Sequence, residues 1–209
     1  MFFYNKNKRR VNTIISIEDE KVAYLSKALG KQLGFNKNSM LTIGFAGKYH
    51  DIGKLLLPLT VLEKPDKLTK EEYELVKTHT KLGADIFDVA TNKLANNRLA
   101  CETCLVAKEV AMYHHENYDG SGYYGCDKTN TSMVVQIIHL VDVYVALISK
   151  RAYKKAWTQE EALEFLQENS GKMFNPILVD IFTKMMLSLA VLEKSKILKS
   201  GYLLCENVV

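Results

Sequence analysis

Residues 132–149, SMVVQIIHLVDVYVALIS, constrain the fold more than any other stretch of this chain. They are apolar on nearly every side, and a helix with that pattern must be surrounded by other elements. The branched side chains would also suit a strand, but a run this long favours a helix. The rest of the chain therefore has to wrap around it. One carboxylate, Asp142, interrupts the run. Burying it is costly unless it is paired or bound to a metal.

The flanking segments repeat apolar residues at helical spacing, and the chain has only three prolines in 209 residues. Both features argue for an all-α fold, a bundle of helices. ISIEDEKVAYLSKALGKQLG reads as a helix stopped by Gly34. NSMLTIGFAGKYHDIGK reads as a second, opening near Ser39. LLLPLTVLEKPDK is a connecting loop with two prolines. Thr69 and Glu72 form a capping box that opens one long helix through TKEEYELVKTHTKLGADIFDVA. CETCLVAKEVAMYHHEN is another helix, ending where glycines begin. Thr158 with Glu161 caps a further helix closed by Gly171, and Asn175-Pro176 opens the last. No repeat, long linker or low-complexity tract divides the chain. The expected layout is a basic lead and start of the first helix over 1–17, one domain over 18–192, and a tail over 193–209.

Net charge is +4, too mild to announce a nucleic-acid polymer as partner yet no barrier to an anionic ligand. MFFYNKNKRRVN has no long apolar run behind its basic residues, so neither a signal peptide nor a membrane span is expected, and the location expected is cytoplasmic. The CETC pair lacks the second cysteine pair of a structural zinc site, and the four cysteines read as reduced thiols.

The candidate chemistry lies in histidines and aspartates on separate helices. His50-Asp51 falls in YHDIGK, His79 in THTKLG, His114-His115 in HHENYDGSGYYG, and Asp142 in the apolar helix. Four of the 5 histidines fall in these elements; only His139 is left over, and it reads as an ordinary helix residue. A helical bundle can aim such side chains at one point. Imidazole with carboxylate suits iron, manganese or zinc. A bridging carboxylate with histidines on either side can hold two ions about 3.5–4 Å apart, which activate a water and clamp the oxygens of a displacement at phosphorus. For Asp142 a buried salt bridge remains the alternative. Asp119-Gly120 and Ser121-Gly122 are turn dipeptides that let backbone approach a ligand. Lys54, Arg151 and Lys154 suit phosphate oxygens; for RAYKK a solvated basic turn is equally good.

HDIGK, THTKLGA, HHENYDGSGYYG, DVYVALISKRAYKKA and SGKMFNP, in that order, resemble the motifs of the HD-GYP family. The resemblance spans about residues 18–186. It implies an all-α HD-domain bundle with additional helices, and a phosphodiesterase that uses a dinuclear-metal-activated hydroxide to hydrolyse cyclic di-GMP, or a related cyclic dinucleotide, to pGpG and/or GMP. It implies His50, Asp51, His79, His114, His115 and Asp142 as metal ligands, with Asp51 bridging two ions, iron or manganese. Asp51 and Lys54 become the catalytic residues. Lys54, Gly122, Tyr123, Arg151 and Lys154 become substrate contacts.

The sequence also departs from the family. GYP reads GYY, which should leave the loop less rigid at Tyr124. DVYDAL reads DVYVAL, with Val145 in place of a carboxylate. RPYK reads RAYK, and FDP reads FNP. Aligning on KVA puts Glu18 where a histidine ligand is usual and Ile14 where three-metal members have a glutamate. Glu18 is thus a tentative ligand, and two ions are expected rather than three. These departures motivate a second reading: a degenerate member that binds metal and cyclic di-GMP as a receptor, with a protein partner at the GYY loop. A third is a hydrolase for another phosphoester.

Overall fold

Helix α1 (Ile17–Gln32) opens with Glu18, Asp19 and Glu20 in its first turn, where acids complement the helix dipole. The chain leaves it through Gly34, whose φ of 80° is natural only to glycine. The computed structural model describes residues 17–150 and 155–205, with side chains described as far as residue 190. Arg151 and Lys154, and Ile14 at the other end, therefore lie outside the described residues.

Helix α2 (Lys37–Tyr49) starts earlier than Ser39, because Asn36 is the cap and its side chain accepts the Ser39 N–H. It also stops sooner than expected: HDIGK is not helix but a 3₁₀ turn over Ile52–Leu56. The two-proline segment contains a single turn, α3 (Leu59–Leu62), behind Pro58. The Thr69–Glu72 capping box opens α4 (Lys70–Lys77) as expected. The long helix expected there is two helices, since α5 (His79–Lys93) begins after a break at Thr78. The side chains of Thr78 and His79 capture the carbonyls of Leu75 and Val76, which an uninterrupted helix would pair with backbone N–H groups. The remaining helices are α6 (Arg98–Tyr113), α7 (Met133–Ile148), α8 (Gln159–Glu168) and α9 (Pro176–Cys205). The boundary expected after residue 192 falls inside α9.

Helix α7 is the centre. Ile137, Ile138, Leu140, Val141, Tyr144 and Val145 are each 1% exposed or less, and fully burying such a side chain is worth roughly 1.5–3 kcal/mol. Helices α1, α2, α6, α8 and α9 pack against it, and α5 lies along α6 on the outside. Among the described residues there is no strand, only an isolated bridge between Ser170 and Phe174. The all-α expectation holds. No helix among the described residues is long and apolar enough to cross a membrane.

Candidate metal centre

Three helix ends meet at one place. His50 follows the last residue of α2, His79 is the first of α5, and His114 follows the last of α6. Each of the three rings is almost fully buried. Each also turns its Nδ1 to a nearby carbonyl: His50 donates to Gly47 at 2.7 Å, His79 to Val76 at 2.7 Å, and His114 to Val110 and Ala111 at 3.0 and 3.2 Å. That orients each ring and points Nε2 inward, with a free lone pair wherever the ring is neutral.

What those lone pairs face is Asp51. Nε2 of His79 and His114 lie 3.1 and 3.6 Å from Asp51 Oδ1, and Nε2 of His50 lies 3.5 Å from Oδ2. Nε2 of His79 and His114 are also 3.4 Å from each other. Lone pairs turned toward one another and toward carboxylate oxygens repel unless a cation or a proton sits among them. His50 Nε2 and Asp51 Oδ1 are buried with no hydrogen-bond partner. The donor set therefore fits a metal. Asp51, His79, His114 and His115 form one compact group of ligand atoms, and Asp19, His50 and Asp51 form a second. Asp51 belongs to both.

The charge balance is consistent with this. Burial opposes protonation of His50, but Asp51, Asp142 and Asp19 around it outweigh burial and raise its pKa to about 10. Burial would raise Asp51, yet Lys54 and His50 hold it well below the usual carboxylate range. Burial alone dominates at His114, lowered to about 4, and at His115, lowered further with His114 beside it. The latter two are neutral at pH 7, as ligands must be. Asp142 stands 3.5 Å from His50 Nε2 but outside both compact groups, with a quarter of its side chain exposed.

Helix α1 corrects one expectation. The acid that reaches His50 is Asp19, 3.8 Å from Nδ1 and almost fully buried, whereas Glu18 is half-buried and in neither group. Adjacent helix residues point about 100° apart, so only one of the two can face the centre. The signal was available: Val22, Ser26 and Leu29 form the buried stripe of α1, and stepping back three residues from Val22 gives Asp19, not Glu18.

Two glycines make the packing possible. A Cβ on Gly53 would stand 1.9 Å from the His79 carbonyl oxygen, and a Cβ on Gly122 would stand 2.5 Å from the Glu116 Cα. The glycine loop is tied more tightly than its missing proline suggested. The buried Glu116 carboxylate, unnoticed in the sequence, accepts the N–H groups of Tyr124 and Cys126 at 2.7 and 2.8 Å. The Tyr124 hydroxyl bonds Thr80 at 2.7 Å. Tyr123 stacks on His115 with ring centres 4.6 Å apart. Lys54 pairs with Asp51 at the edge of the centre. His139 donates to the His114 carbonyl at 2.8 Å, so it braces the ligand-bearing turn and is more than an ordinary helix residue. Val145 lies in the apolar core, in neither ligand group.

Comparison with known proteins decides the family, since an HD domain model matches residues 3–178. The chain belongs to the HD domain family. It is 34% identical to the cyclic di-GMP phosphodiesterase response regulator RpfG of Xanthomonas campestris pv. campestris, over 77% of this chain and 40% of that protein. It is 33% identical to a cyclic di-GMP phosphodiesterase of Thermotoga maritima, over 79% of this chain and 43% of that one. The chain thus spans less than half the length of these relatives. Among solved structures, the HDG"Y"P protein Bd1817 from Bdellovibrio bacteriovorus shares the fold, with a TM-score of 0.62 at 19% identity, over 82% of this chain and 52% of that one. These findings bear out the HD-GYP resemblance carried by the motifs.

Proposed function

We propose that this chain is a metal-dependent phosphodiesterase that hydrolyses cyclic di-GMP, or a closely related cyclic dinucleotide, to pGpG and/or GMP. The observation that carries the reading is the position of Asp51, one buried carboxylate between two groups of histidines whose bare nitrogens converge on it. His79, His114 and His115 would hold one ion and His50 and Asp19 the other, with Asp51 shared and Asp142 supporting His50. Iron or manganese suits this donor set. Ions bound there supply Lewis acidity toward a phosphoryl oxygen and a water acidic enough to ionise at neutral pH.

The chain's own residues do the rest. Carbonyl anchors hold the histidine rings aimed. Lys54, kept cationic by Asp51, offers its ammonium to a phosphate oxygen. Gly122 lets the loop close against the backbone of His115, Glu116 and Asn117, which seats Tyr123 beside His115. Arg151 and Lys154 are kept as phosphate contacts on the strength of the RAYK motif.

The test is an anaerobic purification with iron and manganese quantified, followed by incubation with cyclic di-GMP and chromatography of pGpG and GMP. Asp51→Ala should lose both metal and product. Lys54→Ala should lose turnover and keep its metal. Asp19→Asn should lower the metal content while Glu18→Gln does not. Metal-loaded protein that yields neither product overturns the reading. Only as departures from the family's motifs do Val145 and Tyr124 motivate a second reading, a receptor that binds cyclic di-GMP without turnover; calorimetric binding with no product would establish it.

A further inference from the structure

Beside the metal centre, around Tyr123, lie three side chains to which the phosphodiester chemistry assigns no role: Tyr73, Lys77 and Tyr124. Tyr73 and Lys77 are one turn apart on α4, so they share a face. The glycine loop brings Tyr123 and Tyr124 against that face. The Lys77 ammonium lies 5.3 Å from the centre of the Tyr123 ring and 5.1 Å from that of Tyr124. Tyr73 meets Tyr123 edge-on, with centres 6.1 Å apart. Tyr73 and Tyr124 keep 45% and 41% of their surface exposed. No carboxylate pairs with Lys77 among the described residues, so its donors are not used up by an acid.

We infer that Tyr73, Lys77 and Tyr124 form a platform for the base of a guanine nucleotide whose phosphate sits at the metal centre. Three features point to that chemistry. Exposed aromatic faces offer stacking, which any base accepts. A lysine held between two rings presents a donor at a defined place, and guanine offers the paired acceptors O6 and N7 that lysine recognises. The platform is also within one nucleoside's reach of the ligands: Tyr123 stacks on His115 at 4.6 Å and touches Tyr73 at 6.1 Å. The loop cannot drift from this position, because Glu116 and Thr80 hold Tyr124. A bland alternative is a self-contained contact between a lysine and two tyrosines, which stabilises the loop and binds nothing.

The inference deepens the phosphodiesterase reading, but its test does not need turnover. Calorimetry on the metal-loaded chain compares GMP with ribose 5-phosphate, which keeps the phosphate and sugar and lacks the base. The parent should bind GMP at least about fivefold more tightly, the low end of what one stacked base contributes. Tyr73→Ala should lose most of that preference with ribose 5-phosphate affinity unchanged, and Tyr73→Phe should keep it. Lys77→Gln should narrow the preference for GMP over CMP. Equal binding of GMP and ribose 5-phosphate by the parent, no measurable binding of either, or a full preference retained in Tyr73→Ala would each overturn the platform. A chain that discriminates GMP but leaves cyclic di-GMP intact would sink the phosphodiesterase reading and leave the platform standing.

Discussion

Gly53→Ala is the sharpest test of how this fold holds its centre. The added methyl would lie 1.9 Å from the His79 carbonyl oxygen and 2.5 Å from the Gly83 nitrogen. Both are backbone atoms, so no side chain can swing aside. Relief requires the HDIGK turn to move away from α5 by more than an ångström. Overpacking of this kind costs about 1–3 kcal/mol, and two backbone clashes put the cost near the upper end. At about 2–4 °C per kcal/mol for a chain of this size, the melting temperature should fall by roughly 6–12 °C. The same movement drags Asp51, two residues upstream, away from His79, from which Oδ1 now stands 3.1 Å. Metal ligands tolerate about 0.2 Å, so metal content should drop too, and an ångström of misplacement is enough for about a hundredfold loss of turnover. The assay is a thermal melt of chelator-treated protein beside an iron and manganese determination. Gly44→Ala is the control: its methyl meets only the flexible stem of Lys27, and α2 should hold. A Gly53→Ala protein melting within a degree or two of the parent, with full metal, would refute the reasoning.

Three further predictions follow from the same geometry. Val145→Asp, which restores the family's carboxylate, should not improve activity, because position 145 lies in the apolar core at 1% exposure. An unpaired carboxylate there should cost about 3–5 kcal/mol, visible as a melting-point drop of roughly 6–20 °C. Glu116→Ala should free the Tyr124 and Cys126 N–H groups, and hydrogen exchange at those two amides should speed up at least tenfold while the α7 core stays protected. Metal uptake should expel a proton. His50 is raised to about 10, so the metal-free chain carries that proton at pH 7.5, and calorimetry in buffers of different ionisation enthalpy should count about one proton released. The sign fixes a second readout: a raised pKa stabilises the metal-free fold below about pH 6.5 and is lost as pH rises through 10, so that form alone should soften between those limits.

The residues that carry the centre were legible in the sequence where their chemistry is unusual. His50-Asp51, His79 and His114-His115 are strange neighbours for helices, and the structure brings them together. The helix phase of α1 was less legible. Alignment on KVA counted residues and reached Glu18, while the buried stripe counts angles and reaches Asp19. The break at Thr78 was invisible to apolar periodicity, because α4 and α5 both satisfy it and the interruption comes from two side chains taking carbonyls. Glu116 read as one more charged residue in a polar loop. Its burial depends on backbone amides eight and ten residues ahead, which no local pattern reports. The fold class was the easiest part, since one apolar stretch dictated a central helix and the rest had to cover it.

The carbonyl anchors of the three histidines have a consequence for how the protein comes into being. Each ring is oriented by a carbonyl three or four residues upstream. The aim of each ligand is thus written into a single turn of chain and is set as soon as that turn forms, on the sub-microsecond scale of helix growth. Collapse of the domain has only to bring three prepared ends together around Asp51. An ion binding there would then meet ring orientations already set, and would lock a site that the chain had shaped without it.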